Sequence, residues 1–251
     1  MNLTSLYNHS ILLIFVFAVI VFILLFFIPA PYGKFSRIGW GPSLRAKWAW
    51  MIMELPSPAF VVVFFMLSEN KGTPQIVFLT IWLVHYLHRT FVYPFSQSGR
   101  NKPYPFVIVL MAIVFNSMNG FVNGYGVFNV YSYDNSWLGS WQFVSGITLF
   151  VAGFVINKTA DNKLSLFRRN NPAEYVLPQG WLFNFISCPH YLGEIMEWGG
   201  WALLTWSVPG FAFFVFTFAN LYPRAIASQK WYKEAFPDYP SDRKAIFPFI
   251  I

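Results

Sequence analysis

Hydrophobic residues in this chain come in long blocks, and the breaks between them fall at Gly, Pro and clusters of charge. Each block is about 20 residues long, the length an α-helix needs to cross roughly 30 Å of hydrocarbon. The pattern predicts membrane spans near 10–29, 47–67, 75–95, 104–124, 141–157, 190–206 and 208–225. The sixth differs from the rest, because Glu194 and Glu197 lie inside it. Closed β-barrels alternate apolar and polar positions, and these blocks do not. The expected fold is an all-α membrane protein with seven transmembrane helices, a single integral membrane domain over residues 1–251.

Composition agrees: 56% of the residues are hydrophobic and only 11% charged, against roughly 25% charged in a soluble domain. Charge also orients the chain, since short cytoplasmic loops are rich in Lys and Arg. Fifteen basic residues, from Lys34, Arg37, Arg45 and Lys47 through Arg100, Lys102, Lys158, Lys163, Arg168 and Arg169 to the C-terminal tail, fall on one side, and Lys71 alone on the other. This puts the N-terminus outside and the C-terminus in the cytoplasm. The net charge of +7 follows from that topology and from anionic head groups, so it argues for membrane lipids as partners and not for nucleic acid. The first block has no basic stretch before it and is too long for a signal-peptide core, so it is expected to be retained. The single cysteine, Cys188, excludes an internal disulfide.

Ionisable groups at membrane depth are costly unless they face a cavity or a partner. Helical spacing places several of them in stripes. Trp50, Met53, Glu54 and Ser57 share a face of the second span. In "HYLHRTFVYPF", Tyr86, Arg89 and Tyr93 share another, with His85 one turn before Arg89. Asn116, Asn119 and Asn123 form a stripe in the fourth, Asn157, Asp161, Leu164 and Arg168 in the fifth and its exit, and His190, Glu194 and Glu197 in the sixth. One such stripe is well explained by hydrogen bonds between helices, worth about 1 kcal/mol each. Five stripes point to a cavity and a polar ligand.

A carboxyl group in such surroundings can stay neutral and donate a hydrogen bond. Glu54 and the Tyr86 phenol would then polarise a carbonyl, stabilising oxyanion charge. An ion pair between Glu54 and Arg89 accounts for the same residues equally well. Lys34, Arg37, Arg168, Arg169 and Arg224 suit phosphates, and Asn157, Asp161 and Glu194 suit ribose hydroxyls or a carboxamide, a mixture that fits a dinucleotide. No G-x-G-x-x-G follows a strand, so such a site is not a Rossmann one. The tail residues Lys233, Arg243 and Lys244 are better read as cytoplasmic anchors. Metal binding is poorly supported: His85 and His88 have no third ligand at suitable spacing, and His190 with Glu194 is a weak pair. No G-x-S-x-G or Cys/His arrangement supports nucleophilic catalysis.

At these same stretches the chain resembles the steroid 5α-reductase family, from about Tyr32 to the C-terminal end. The pieces are "PYGK", "RAKWAWMIMELPS", "VHYLHRTFVYPF", "KPYPF", "SMNGF", "YVLPQGWLF", "PHYLGEIMEWGGWAL" and "WYKEAFPDYPSDRKAIFPFI". The resemblance implies an oxidoreductase that uses NADPH to reduce the Δ4 double bond of a 3-oxo-Δ4 steroid taken from the bilayer, with hydride to C5, a proton to C4 and no metal. The acid of the "ELP" motif and the tyrosine of the "HY" motif, Glu54 and Tyr86, would hold the C3 carbonyl, and Trp50, Met53 and Phe115 would line the steroid pocket. Cofactor contacts are implied at Tyr32, Arg89, Tyr93, Asn119, Asn157, Asp161, Leu164, Arg168, Tyr175, His190, Glu194, Arg224 and Tyr232, mostly in the half from about 105 to 251. The chain departs from the family's wording at Met53, where glutamine is common, at His190, where asparagine is common, and at Ser228, where a basic partner is expected. Competing expectations are a reductase of a polyprenol or an enoyl thioester, a methyltransferase of the isoprenylcysteine type, whose "PxYxGE" box is similar, and a non-enzymatic lipid receptor. The enzyme is expected to be a monomer, in the endoplasmic reticulum membrane of a eukaryote or the inner membrane of a bacterium.

Overall fold

The computed structural model describes residues 2–37, 39–171 and 175–250. The first helix, α1 (Leu3–Phe27), begins seven residues before the span expected from hydropathy, because the Asn2 side chain accepts from the Ser5 N–H at 2.8 Å and caps it. The second span is divided into α2 (Ala46–Glu54) and α3 (Pro56–Leu67). Pro56 has no N–H to give, and the break falls beside Glu54. The third consists of α4 (Thr73–Leu87), a wide π turn over His88–Val92 and the short α5 (Tyr93–Ser96). Next come α6 (Phe106–Tyr125), α7 (Trp141–Asn170), α8 (Pro189–Thr205) and α9 (Val208–Ala235).

Two helices outrun their expected spans. α7 continues past residue 157 to Asn170, and α9 past 225 to Ala235. Hydropathy falls at Asn157 because the helix has begun to face a polar cavity, not because the backbone has left the helix. Lys158, Lys163, Arg168 and Arg169, expected in a loop, therefore sit on the last turns of α7.

Among the described residues six helical stretches are long and apolar enough to cross a membrane, which makes this a helical, multi-pass membrane-type chain. The six do not include α8, a 17-residue helix that carries Glu194 and Glu197. It nevertheless packs along α7 and α9 inside the bundle. Glycines make the α7–α8 approach possible. A Cβ at Gly153 would lie 2.5 Å from the Gly193 carbonyl oxygen, and one at Gly200 would lie 2.6 Å from that of Gly146. α1 packs on α9, and α3 on α6.

The aromatic core formed by Phe78, Trp82, Trp198, Trp201 and Phe213 is buried. Trp82 contacts Trp201 and Trp198 at ring-centroid distances of 4.9 and 5.3 Å.

Two features depart from a purely helical bundle. Strands β1 (Ser43–Arg45) and β2 (Pro103–Pro105) form a short antiparallel ladder, so the starts of α2 and α6 are tied together. The C-terminal segment clasps the loop before α8: the Cys188 N–H donates to the Ala245 carbonyl at 3.1 Å, and the Arg243 guanidinium to the Pro178 carbonyl at 3.0 Å. Arg243 is 3% exposed, so its expected role as an anchor at the membrane surface is corrected to that of an internal strut.

Candidate active site

One cavity of about 1490 Å³ runs through the bundle, bounded by α1, α2, α4, α6, α7, α8 and α9. A single drug-sized ligand needs roughly 300–1,000 Å³, so the space suits two ligands end to end. Its wall takes in Glu54 and Tyr86; Trp50, Met53 and Phe115; and Tyr32, Arg89, Tyr93, Asn157, Asp161, Leu164, Arg168, Tyr175, His190, Glu194, Arg224 and Tyr232.

Asn119 is not among the residues of that wall. It is fully buried, its amide oxygen accepts from Asn123 Nδ2 at 2.9 Å, and Asn123 Oδ1 accepts from Trp201 Nε1 at 2.8 Å. The asparagine stripe therefore splits: Asn119 and Asn123 bridge α6 to α8. Asn116 turns to α2, donating to the Met53 carbonyl at 2.6 Å and to Glu54 Oε2 at 3.4 Å.

At the apolar end, Tyr86 stacks on Trp82 at 5.0 Å and is 2% exposed. Phe213, Phe115, Met53 and Trp198 complete that end of the wall. Arg89 stands at the junction of the two ends. Its guanidinium lies 3.6 Å from Glu54 Oε1 and 3.7 Å from Glu194 Oε1, and over the Trp50 and Tyr93 rings at 4.5 and 4.9 Å. The Glu54–Arg89 pair that the sequence left open is thus present, and both members still face the cavity.

The π turn governs this geometry. The Tyr93 N–H reaches back five residues to the His88 carbonyl, and the widened turn presents Arg89 to two carboxyl groups on different helices. Glu197 turns away from the cavity and bonds His85 Nδ1 at 2.6 Å.

The other end is polar and cationic. Asn157 Oδ1, Lys158 Nζ, Asp161 Oδ2 and His190 Nδ1 lie on the wall, buried and without a hydrogen-bond partner in the protein. Such groups are costly unless a ligand satisfies them. Arg224 lies over the Tyr32 and Tyr191 rings, each at 5.1 Å. Lys34 lies over those of Tyr232 and Trp231, at 4.0 and 4.7 Å. Burial pushes the Lys34 ammonium down to about 8, with Arg168 adding to the fall, and pushes the Cys188 thiol up to about 11. Cations, amide groups and aromatic rings in this arrangement fit a nucleotide with phosphates.

Sequence reasoning missed Lys158 and His88 as wall residues. The signal for Lys158 is its place beside Asn157, on a helix that continues to Asn170. It also gave no role to α1, whose Ile20, Val21 and Leu24 close one side of the cavity. Among the described residues no three His, Cys, Asp or Glu side chains converge as metal ligands.

Comparison with known proteins agrees with the resemblance carried by the motifs. The sequence profile of the family described as 3-oxo-5-alpha-steroid 4-dehydrogenase matches residues 102–251. A steroid 5-alpha-reductase of Gossypium hirsutum is 39% identical over 254 residues, covering 98% of this chain and 98% of the relative. The 3-oxo-5-alpha-steroid 4-dehydrogenase 2 of Homo sapiens is 39% identical over 228 residues, 88% of each chain. The 3-oxo-5-alpha-steroid 4-dehydrogenase 1 of Bos taurus is 36% identical, covering 93% of this chain and 92% of the relative.

Proposed function

The chain belongs to the 3-oxo-5-alpha-steroid 4-dehydrogenase family and is an oxidoreductase, and from that premise we propose that it reduces the Δ4 double bond of 3-oxo-Δ4 steroids with NADPH. The observation that carries this reading is the single cavity with two unlike ends: Tyr86 and Glu54 in an aromatic chamber, and orphaned polar atoms with cations beyond Arg89. With α8 as a seventh crossing, the N-terminus faces outward and the C-terminus the cytoplasm, so the cationic end opens to the nucleotide pool. The membrane is the endoplasmic reticulum of a eukaryote or the inner membrane of a bacterium.

Tyr86 and a neutral Glu54 donate hydrogen bonds to the C3 oxygen and stabilise the negative charge that grows there, which makes the β-carbon C5 a better acceptor. Trp50, Met53 and Phe115 line the steroid, and Trp198 and Phe213 bound the chamber. Bound NADPH supplies the hydride for C5. Arg168, Arg224 and Lys34 are assigned to its phosphates, and Asn157, Asp161, His190 and Glu194 to its ribose and amide groups. Tyr32, Tyr93, Leu164, Tyr175 and Tyr232 pack around it.

The deciding experiment incubates purified protein with NADPH and a Δ4-3-ketosteroid and identifies the product. A 5α-reduced 3-oxosteroid supports the reading. Turnover of a polyprenol instead, or binding of S-adenosylmethionine without NADPH binding, overturns it.

Two predictions concern the cofactor end. Replacing Arg168 by Ala should weaken NADPH binding about tenfold or more, as loss of a charge-assisted contact worth about 1.5–3 kcal/mol requires. A titration by tryptophan quenching checks this, and an unchanged affinity would leave Arg168 as a loop anchor only. Lys34 gives a pH dependence of definite sign. Its ammonium is charged below about 8 and neutral above, so NADPH affinity should fall as pH rises from about 7 to about 9. Phosphate favours the charged form, so binding takes up a proton in that window. Lys34→Met should bind more weakly at neutral pH and lose the dependence.

A further inference from the structure

Saturating a Δ4-3-oxo steroid takes a proton at C4 as well as a hydride at C5, and Tyr86 and Glu54, assigned to the C3 oxygen, are directed at that atom and not at C4. Arg89 is shared by Glu54 and Glu194, and Asn116 also donates to Glu54. One titratable pair beside this chamber has no part in the reading above. Glu197 is 0% exposed and His85 is 3% exposed, and His85 Nδ1 lies 2.6 Å from Glu197 Oε1. The imidazole lines the cavity. It lies edge-on to the Tyr86 ring at 4.9 Å and to the Trp198 ring at 4.6 Å. With Nδ1 taken by the carboxylate, Nε2 is the ring nitrogen left to serve the chamber.

We propose that His85, held and charge-balanced by Glu197, donates the proton that C4 receives. This rests on the reading of the reaction as NADPH-dependent Δ4 reduction. Hydride arrival at C5 moves the π electrons into an enolate spanning C4, C3 and the oxygen. The Nε2–H bond of the imidazolium then breaks, its proton forms the new C4–H bond across at most one water, and the imidazolium becomes neutral imidazole. A proton from water at the polar end restores it.

A carboxyl group buried as fully as that of Glu197 is costly to ionise alone, and the proton shared across the 2.6 Å contact with His85 Nδ1 leaves the pair neutral overall. The other titratable groups near the pair are Arg89 and His88 after α4, Lys158 on α7, and Glu194 on α8.

The test uses the full-length protein in detergent or liposomes with NADPH and a Δ4-3-ketosteroid. His85→Asn keeps an N–H donor for Glu197, so the fold should survive, but it has no proton to give. The expected result is a fall in kcat of about 10²-fold or more, with KM and NADPH affinity unchanged. Glu197→Gln keeps the shape of the pair and removes the charge, so the basic limb of the kcat–pH profile should move to lower pH. A wild-type kcat, pH profile and solvent deuterium isotope effect in His85→Asn would overturn the proposal, as would transfer of these effects to His88→Asn. If Glu197→Gln does not fold, His85→Asn decides alone. Failure of the wild-type protein to reduce the steroid is a separate outcome, which removes the reaction itself.

Discussion

Replacing Tyr86 by Phe is expected to lower steroid turnover by about 10²- to 10³-fold while NADPH affinity stays at its wild-type value. That range is the cost of removing one donor from an oxyanion site. The variant is clean because the ring keeps its place: Phe retains the stack on Trp82 and the contacts with His85 and Trp198, so only the hydroxyl is lost. Glu54→Gln should act in the same direction. Its amide still donates a hydrogen bond, but a weaker one than the O–H of a carboxylic acid, and the group that meets Arg89 from α2 is changed. Product formation under saturating NADPH, with cofactor affinity measured separately, distinguishes loss of chemistry from loss of binding. Wild-type turnover in both variants would remove Glu54 and Tyr86 from the mechanism.

Gly153→Val should abolish the folded protein, or cost more than about 4 kcal/mol, the range reserved for a named steric failure. The reason is that α7 and α8 meet backbone to backbone. A Cβ at Gly193 would lie 2.7 Å from the Gly153 carbonyl oxygen, and backbone cannot move aside as a long side chain can. The two helices also carry Asn157, Asp161, His190 and Glu194, so forcing them apart dismantles the polar end of the cavity before any catalytic group is touched. Gly139, beside which a Cβ meets nothing within 4 Å, supplies the control: Gly139→Ala should run as wild type on detergent size-exclusion and melt at the same temperature.

The helices were legible where their apolar residues face outward to lipid. α3, α4 and the start of α7 lie where the apolar blocks predict. The expectation failed where a helix turns polar without ending, as at Asn157 in α7 and after residue 225 in α9. Hydropathy registers departure from lipid, whereas helix termination depends on backbone hydrogen bonding, and the two separate wherever a helix lines a wet cavity. Lys158 is such a case, a cation on a continuing helix that faces the cavity.

The candidate site was legible because ionisable residues at membrane depth need a reason. Helical spacing grouped Trp50, Met53 and Glu54, and the cavity receives them together. Spacing alone could not distinguish Asn116, which reaches Glu54, from Asn119 one turn later, which bonds within its own helix. That difference depends on what the neighbouring helices present, Glu54 on one side and Trp201 on the other. Arg243 shows the converse, since a basic residue near a terminus reads as surface until its partner, the Pro178 carbonyl, is known.

The extra residue accommodated at His88–Val92 has a consequence for any position-by-position survey of that segment. Each residue beyond the wide turn is rotated by about 100° from where an uninterrupted helix would carry it. A scan of labelling or of substitution tolerance from Thr73 to Ser96 should therefore show two runs of the same period, out of phase with each other, with the slip at Arg89. Removing one residue there would restore a single phase and turn Tyr93 off its present bearing toward Trp50.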